Sequence, residues 1–204
     1  MDDVYYTITN DARCEIKIKK SRFLGESFLI HSLAAANDQL EAVRKREHAA
    51  SHHCFAWIAG VGAKAQSKYS DDGEPNGTAG RPIYDAMMGR ELTNGLVVVT
   101  RYYGGVKLGT GGLMRAYAEA AQTVLDTSGR QQHFLTSNIK VTIELGLYDQ
   151  LVRLTGRLGV RQESVEFSDR VCLTIVARRS LVQRTIDEIT QLSAGKAQIE
   201  ILKR

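Results

Sequence analysis

Proline is almost absent from this chain of 204 residues, with only 2 against 18 glycines. That scarcity excludes collagen-like and proline-rich extended architectures. Cysteine is nearly as rare: Cys14, Cys54 and Cys172 are far apart and odd in number. A small secreted disulfide scaffold shows an even count at close spacing, so these three are read as reduced thiols. Long apolar runs are missing too. The longest strictly apolar stretch covers residues 54–59, far short of the ~20 residues that a membrane-spanning helix needs. The opening Met1-Asp2-Asp3 is acidic where a secretory leader is basic. The chain is therefore expected to be cytoplasmic and to have no membrane partner. Charge of one sign is not in large excess: 27 Lys and Arg stand against 23 Asp and Glu, a net +4. An anionic partner is permitted by this balance and not demanded by it.

What is present is the composition of an ordinary folded protein, 43% hydrophobic and 25% charged, with length for one large domain or two small ones. The glycines are uneven: 12 of the 18 fall between Gly60 and Gly112, and both prolines, Pro75 and Pro82, lie in the same interval. Glycine allows positive φ and close backbone approach, while proline fixes φ and removes a donor. The unusual backbone geometry is thereby concentrated in one region. A domain boundary is placed in the polar stretch 129–137, dividing the chain into 1–134 and 135–204.

The second part reads as β-α-β-β-α-β. Ile139, Val141, Ile143 and Leu145 alternate with polar residues as in a half-buried strand. Leu147, Leu151, Leu154 and Leu158 recur at helical spacing, and Gly159 stops that helix. Strands over 160–167 and 171–178, a helix marked by Val182, Ile186 and Ile189, and a strand over 197–202 complete the pattern. This is the order of the ferredoxin-like split βαβ unit. In the first part, strands are expected over 4–9, 14–19, 23–31, 53–60 and 96–103. The run Leu96–Val99 is apolar throughout, which implies a central strand covered on both faces. One helix carries Leu33, Ala36, Leu40 and Val43, a second spans 78–90 and a third carries Leu113, Tyr117, Ala120 and Val124. Residues 62–77 between them read as a loop. The fold class is α+β in two domains, the first with a mixed or antiparallel sheet.

Three segments carry residue types suited to chemistry. In the run 70–82, the carboxylates Asp71, Asp72 and Glu74 sit within four positions, followed by Arg81. Clustered oxygens suit a divalent cation, yet the alternating ligands of a calcium loop are missing. The same residues also read as a recognition loop turned by Asp-Gly and Asn-Gly, with Thr78 or Asn76 capping the next helix. The segment 101–115 is a strand end, a glycine-rich loop and a helix start. It aims backbone N–H groups and the positive end of a helix dipole at one spot, which suits an anion. Arg101, Lys107 and Arg115 add charge, Tyr102 and Tyr103 can stack on a base, and Gly104, Gly105 and Gly109 permit the close turn. Neither P-loop nor dinucleotide spacing is present, and a plain strand-to-helix turn explains the glycines equally well. His48, His52, His53 and Cys54 form the histidine cluster. It reads as structural residues at a helix-to-strand junction, with zinc or a Cys54–His nucleophilic pair as the alternatives. No metal, cofactor or catalytic residue is assigned.

Residues 135–204 hold 11 Lys and Arg against 8 Asp and Glu, and eight of the eleven are arginine (153, 157, 161, 170, 178, 179, 184, 204). Arginine suits phosphate, and the open face of a split βαβ sheet can lie on RNA. The aromatic pairs that such sheets use to stack bases are lacking here.

Several motifs taken together resemble the YigZ/IMPACT family, in its bacterial two-domain branch. They are Ser70-Asp71-Asp72-Gly73-Glu74-Pro75, Gly77-Thr78-Ala79-Gly80-Arg81-Pro82, Arg101-Tyr102-Tyr103-Gly104-Gly105, Leu108-Gly109, Gly112-Leu113, Arg115-Ala116-Tyr117 and His52-His53-Cys54. The resemblance implies a first domain akin to the second domain of a small-subunit ribosomal protein, and a ferredoxin-like second domain similar to those of ribosomal elongation factors. It implies a binding or regulatory role linked to translation, with no established catalytic residues. Eukaryotic relatives restrain an initiation-factor kinase and carry a further N-terminal domain; what carries over is the surface around the glycine-rich motifs. The leading expectation is thus a non-enzymatic protein of the translation apparatus that contacts RNA or ribosomal components. Two alternatives stand beside it: an enzyme acting on a phosphorylated or nucleotide ligand, and an adaptor for a protein partner in translation control.

Overall fold

A computed structural model describes residues 3–202 of the chain. The opening Met1-Asp2 and the last arginine, Arg204, lie outside the described residues. Contacts divide the chain between His133 and Phe134 into two compact units. Among the described residues no helix is long and apolar enough to cross a membrane.

The unit of Tyr5–His133 is built on a five-stranded sheet. Its strands are β2 (Ala12–Ile18), β3 (Ser21–Leu29), β4 (His52–Ala59), β5 (Gln66–Ser70) and β6 (Gly95–Tyr102), in the order β2-β3-β6-β4-β5. Every neighbouring pair in it is antiparallel. β6 is central, and the expected cover on both faces is present. Val97 and Val99 pack with Cys54, Ala56 and Ile58 under helices α2 (Gly80–Met88) and α3 (Thr110–Ser128). Leu96 and Val98 pack with Phe55 and Trp57 under α1 (Leu33–Arg46). Alternate residues of one strand thus enter two different cores, which is why the run shows no polar alternation.

Two strands fall where the sequence reads as loop. β5 lies within 62–77, after a 3-10 turn at Gly62–Lys64. Its residues are polar and mostly exposed at the sheet edge, so no burial imprints a period-2 pattern on them. The strand β7 (Arg130–Phe134) falls in the stretch read as a boundary and pairs with β1 (Val4–Ile8) in a two-stranded sheet. It too carries charged and amide side chains in place of apolar alternation.

The second unit comprises Phe134 onward, with Asp3 and Val4 joined to it. That placement differs from a cut at 134 alone: the Asp3 carboxylate accepts the Ser180 amide at 2.7 Å, and its carbonyl accepts the Leu135 amide at 2.7 Å. The elements are β8 (Thr136–Glu144), α4 (Tyr148–Leu158), β9 (Arg161–Phe167), β10 (Arg170–Arg178), α5 (Val182–Leu192) and β11 (Gln198–Leu202). Sheet order β11-β8-β10-β9, with all pairs antiparallel, is the split βαβ arrangement. The register sets Val171 opposite Ile143, Leu173 opposite Val141 and Ile175 opposite Ile139. All six are buried together with Leu151, Leu154 and Ile189 of the helices.

The opposite face of this sheet does not concentrate positive charge. Register places Lys140, Arg161, Arg170 and Arg178 there, among Glu144, Glu163, Glu166 and Glu200. The other described arginines stand elsewhere: Arg153 and Arg157 on α4, Arg184 on α5 beside Glu188, and Arg179 in a 3-10 turn. Lys196 stands beside Glu144 at 3.6 Å, so among the described residues these charges nearly balance and give little net attraction for a phosphate chain.

Candidate functional site

The loop after β5 folds around its own carboxylates. Asp71 accepts the amides of Gly77 (2.8 Å), Ala79 (2.9 Å) and Gly80 (2.8 Å). α2 begins at Gly80 after Ala79, a residue with no side-chain oxygen, so Asp71 supplies the missing N-terminal acceptor from further back in the chain. The expected cap from Thr78 or Asn76 is not used; the Thr78 hydroxyl donates to the Pro75 carbonyl. Asp72 accepts the His53 amide at 2.7 Å and Arg44 at 3.3 Å. The Asp71 and Asp72 oxygens that suited a cation in the sequence are thus engaged by donors of the fold, and among the described residues no three His, Cys, Asp or Glu gather for a metal. Asp71→Ala is expected to cost about 2 kcal/mol, the upper range for an N-cap, because three amides lose their acceptor. Urea unfolding measures it, and a loss below about 0.5 kcal/mol would show that water replaces the carboxylate without penalty.

Glu74 turns inward from the same loop. Its Oε1 accepts Arg101 Nη1 at 2.6 Å and the Tyr117 hydroxyl at 2.8 Å. The side chains of Arg101 and Glu74 are 6% and 4% exposed, so this ion pair lies out of water. The Arg101 guanidinium sits 5.5 Å from the Phe23 ring centroid and 5.3 Å from that of Tyr103. Its Nε is buried without a hydrogen-bond partner. Burial pushes the Tyr117 phenol well above its usual range, with the neighbouring Cys54 and Glu74 adding to the shift. Tyr117 is therefore held as a donor. Burial likewise pushes the Cys54 thiol up, and Cys54 donates to the Asp71 carbonyl at 3.0 Å. A protonated, buried thiol is a poor nucleophile, which removes the Cys54–His pair considered from the sequence.

The glycine-rich segment faces this network. Arg101 of β6 and Tyr103 just after it line the cleft described below, while Tyr102 donates to Glu47 at 2.8 Å. Gly104 presses on the turn between β2 and β3, its amide donating to Ser21 Oγ at 3.2 Å. α3 then starts after Gly109, at φ +72°, with no side-chain cap. The amides of Thr110, Gly111 and Gly112 are first-turn donors that find no acceptor among the described residues. Lys107 makes no ion pair with any described carboxylate.

Between the two segments lies a cleft of about 530 Å³. It is lined by His52, Glu74 and Pro75, by Arg101 and Leu113, and by Tyr103 with Lys107–Thr110. The acidic and glycine-rich loops therefore share one cleft. Of the residues singled out in the sequence, Glu74, Arg101, Tyr103, Lys107 and Gly109 line it. The others serve elsewhere. Asp71 and Asp72 hold the loop, Tyr102 and Gly104 are engaged as described, and Gly105 makes the turn at φ +82°. Arg81 pairs with Asp85 at 2.8 Å on the exposed side of α2. Arg115 lines a separate groove with Pro82, Asp85 and Met114. His52, weighed in the sequence as a junction residue with zinc or a Cys54–His pair as alternatives, also lines the cleft. Its period-2 relation to buried Cys54 was the available signal.

Residues 19–125 match the family model of the Impact N-terminal domain. An IMPACT family member of Haemophilus influenzae is 34% identical over 93% of this chain and 92% of its own length. IMPACT family member YigZ of Escherichia coli is 35% identical over 90% of each chain. The chain belongs to the IMPACT family. A crystal structure described only as that of an hypothetical protein superposes with TM-score 0.68 at 29% identity, covering 100% of both chains. Every cleft residue of this IMPACT-family chain, from His52 to Leu113, falls inside the segment 19–125 that the family model matches.

Proposed function

We propose that this protein is a non-enzymatic binding protein of the translation apparatus that holds RNA, free or within a ribonucleoprotein, by a phosphate in the cleft. The observation that carries the reading is Lys107, without an ion pair among the described residues, beside the first turn of α3, which has no side-chain cap. A cation and a helix N-terminus together favour a phosphate oxygen cluster. Tyr103, 49% exposed in the lining of the same cleft, offers a ring on which a base stacks, an arrangement that tolerates any sequence. The balanced charge of the second unit's open face leaves the cleft as the better-supported contact.

Salt dependence tests this. Anisotropy of a labelled single-stranded RNA is expected to report affinity falling steeply between about 50 and about 200 mM salt. Lys107→Gln is expected to weaken binding several-fold and to reduce the salt slope by about one. Absence of binding to RNA and to ribosomes at low salt would remove the proposal. A second reading draws on the concavity of the cleft, whose volume lies in the range of small-molecule sites, about 300–1,000 Å³. On that reading a free nucleotide is the ligand, and thermal stabilisation by nucleotides without RNA binding would favour it.

A further inference from the structure

We infer that His52 and Glu74 recognise a ribose 2′-hydroxyl, so that the cleft selects RNA over DNA; this deepens the phosphate reading above and rests on it. The His52 ring is fixed in one orientation. Its Nδ1 lies 2.8 Å from the Asp72 carbonyl, and a carbonyl only accepts, so Nδ1 carries the hydrogen. An imidazole that carries its one hydrogen on Nδ1 has its lone pair on Nε2. The chain packs flat against the ring at Gly73, φ +88°, where an added Cβ would come within 3.4 Å of Nδ1. Nε2 is 3.9 Å from Glu74 Oε1, too far for a hydrogen bond, and His52 lines the cleft. Glu74 Oε1 is occupied by Arg101 and Tyr117, while its second oxygen accepts from no donor among the described residues.

His52 and Glu74 thus present two acceptors to the cleft. Its lining also holds donors, the Lys107 ammonium and the Thr110 amide in the first turn of α3. A ligand that satisfies both carries a hydrogen-bond donor close to an anion. The ribose 2′-hydroxyl beside the 3′-phosphate of an RNA chain does this, and DNA lacks that donor. A 2′-O-methyl ribose keeps the oxygen and loses the hydrogen, so it isolates the feature that the acceptors read.

The test uses the full chain and three single-stranded oligonucleotides of one sequence: RNA, DNA and 2′-O-methyl RNA. The wild type is expected to bind RNA about tenfold more tightly than the other two, the range for one hydrogen bond to a well-placed acceptor. His52→Phe, which keeps a ring and removes the acceptor, is expected to bring RNA down to the level of DNA. Its thermal midpoint, measured alongside, establishes that the variant is folded. Equal binding of all three by the wild type overturns the inference and leaves the phosphate reading intact. Binding of none overturns both. Tight binding of 2′-O-methyl RNA, or a preference that survives in folded His52→Phe, overturns the assignment to these acceptors. The same ribose preference seen with nucleoside monophosphates alone supports the inference with a free ribonucleotide as the source.

Discussion

Glu74→Ala is expected to destabilise the protein by about 3–5 kcal/mol, the cost of leaving one member of a buried ion pair without its partner. Arg101 would remain in an interior bounded by Phe23 and Tyr103, with water almost excluded. The Tyr117 hydroxyl would lose its acceptor in the same substitution. A domain of this size is stable by about 5–15 kcal/mol in total, so the loss is a large share. The midpoint of thermal unfolding is expected to fall by roughly 10 °C, at about 2–4 °C per kcal/mol. The paired change Arg101→Met with Glu74→Leu removes both charges, and it is expected to recover most of the loss, because apolar replacement of a buried pair is often neutral or stabilising. A double-mutant cycle measured by urea unfolding separates these terms. Glu74→Ala within about 1 kcal/mol of wild type would mean that Arg101 finds water, and that the network does not hold the cleft.

Gly104→Ala is expected to be at least as damaging, above about 3 kcal/mol, through overpacking against backbone. A Cβ at Gly104 would stand 2.0 Å from the Lys20 carbonyl oxygen, 2.1 Å from its carbon and 2.5 Å from the Ser21 nitrogen. None of these atoms belongs to a side chain that can rotate aside. The turn they form already holds Lys19 and Lys20 at positive φ, 44° and 69°, so it has little freedom to retreat. Gly111→Ala is the matched control: there the added methyl meets only the end of the Arg115 side chain at 3.6 Å. Its expected change is within about 1 kcal/mol. Equal stability of the two variants, read from denaturant midpoints, would refute the close approach. Because the segment after Gly104 carries Lys107, displacement of this turn is also expected to weaken the RNA binding we propose.

The split βαβ unit was legible almost residue by residue. Ile139, Val141 and Ile143 alternate because one face of β8 is buried, and Leu151 and Leu154 recur because one face of α4 is. Burial on one side writes a period into the chain, and that period survives without any knowledge of partners. The apolar run of β6 told its central position for the related reason that both faces are covered. β5 and β7 left no such mark, since an exposed edge strand buries neither face.

The concentration of glycine and proline between Gly60 and Gly112 already marked where the site would be, because backbone approach is a local property of the residue. Roles within the site were another matter. Asp71 and Glu74 stand three positions apart, and nothing in their spacing says that one caps a helix while the other enters the core to meet Arg101 and Tyr117. Those meetings join residues 27 and 43 positions apart, and only the antiparallel pairing of β4 with β5 and β6 brings them together. The same pairing sets His52 opposite Arg101 and so turns a junction histidine into a wall of the cleft. Composition and periodicity determined which apolar residues would be inside; the tertiary fold decided which charges would be buried and face one another, because Coulomb and hydrogen-bond partners are chosen by distance in space and not by order along the chain.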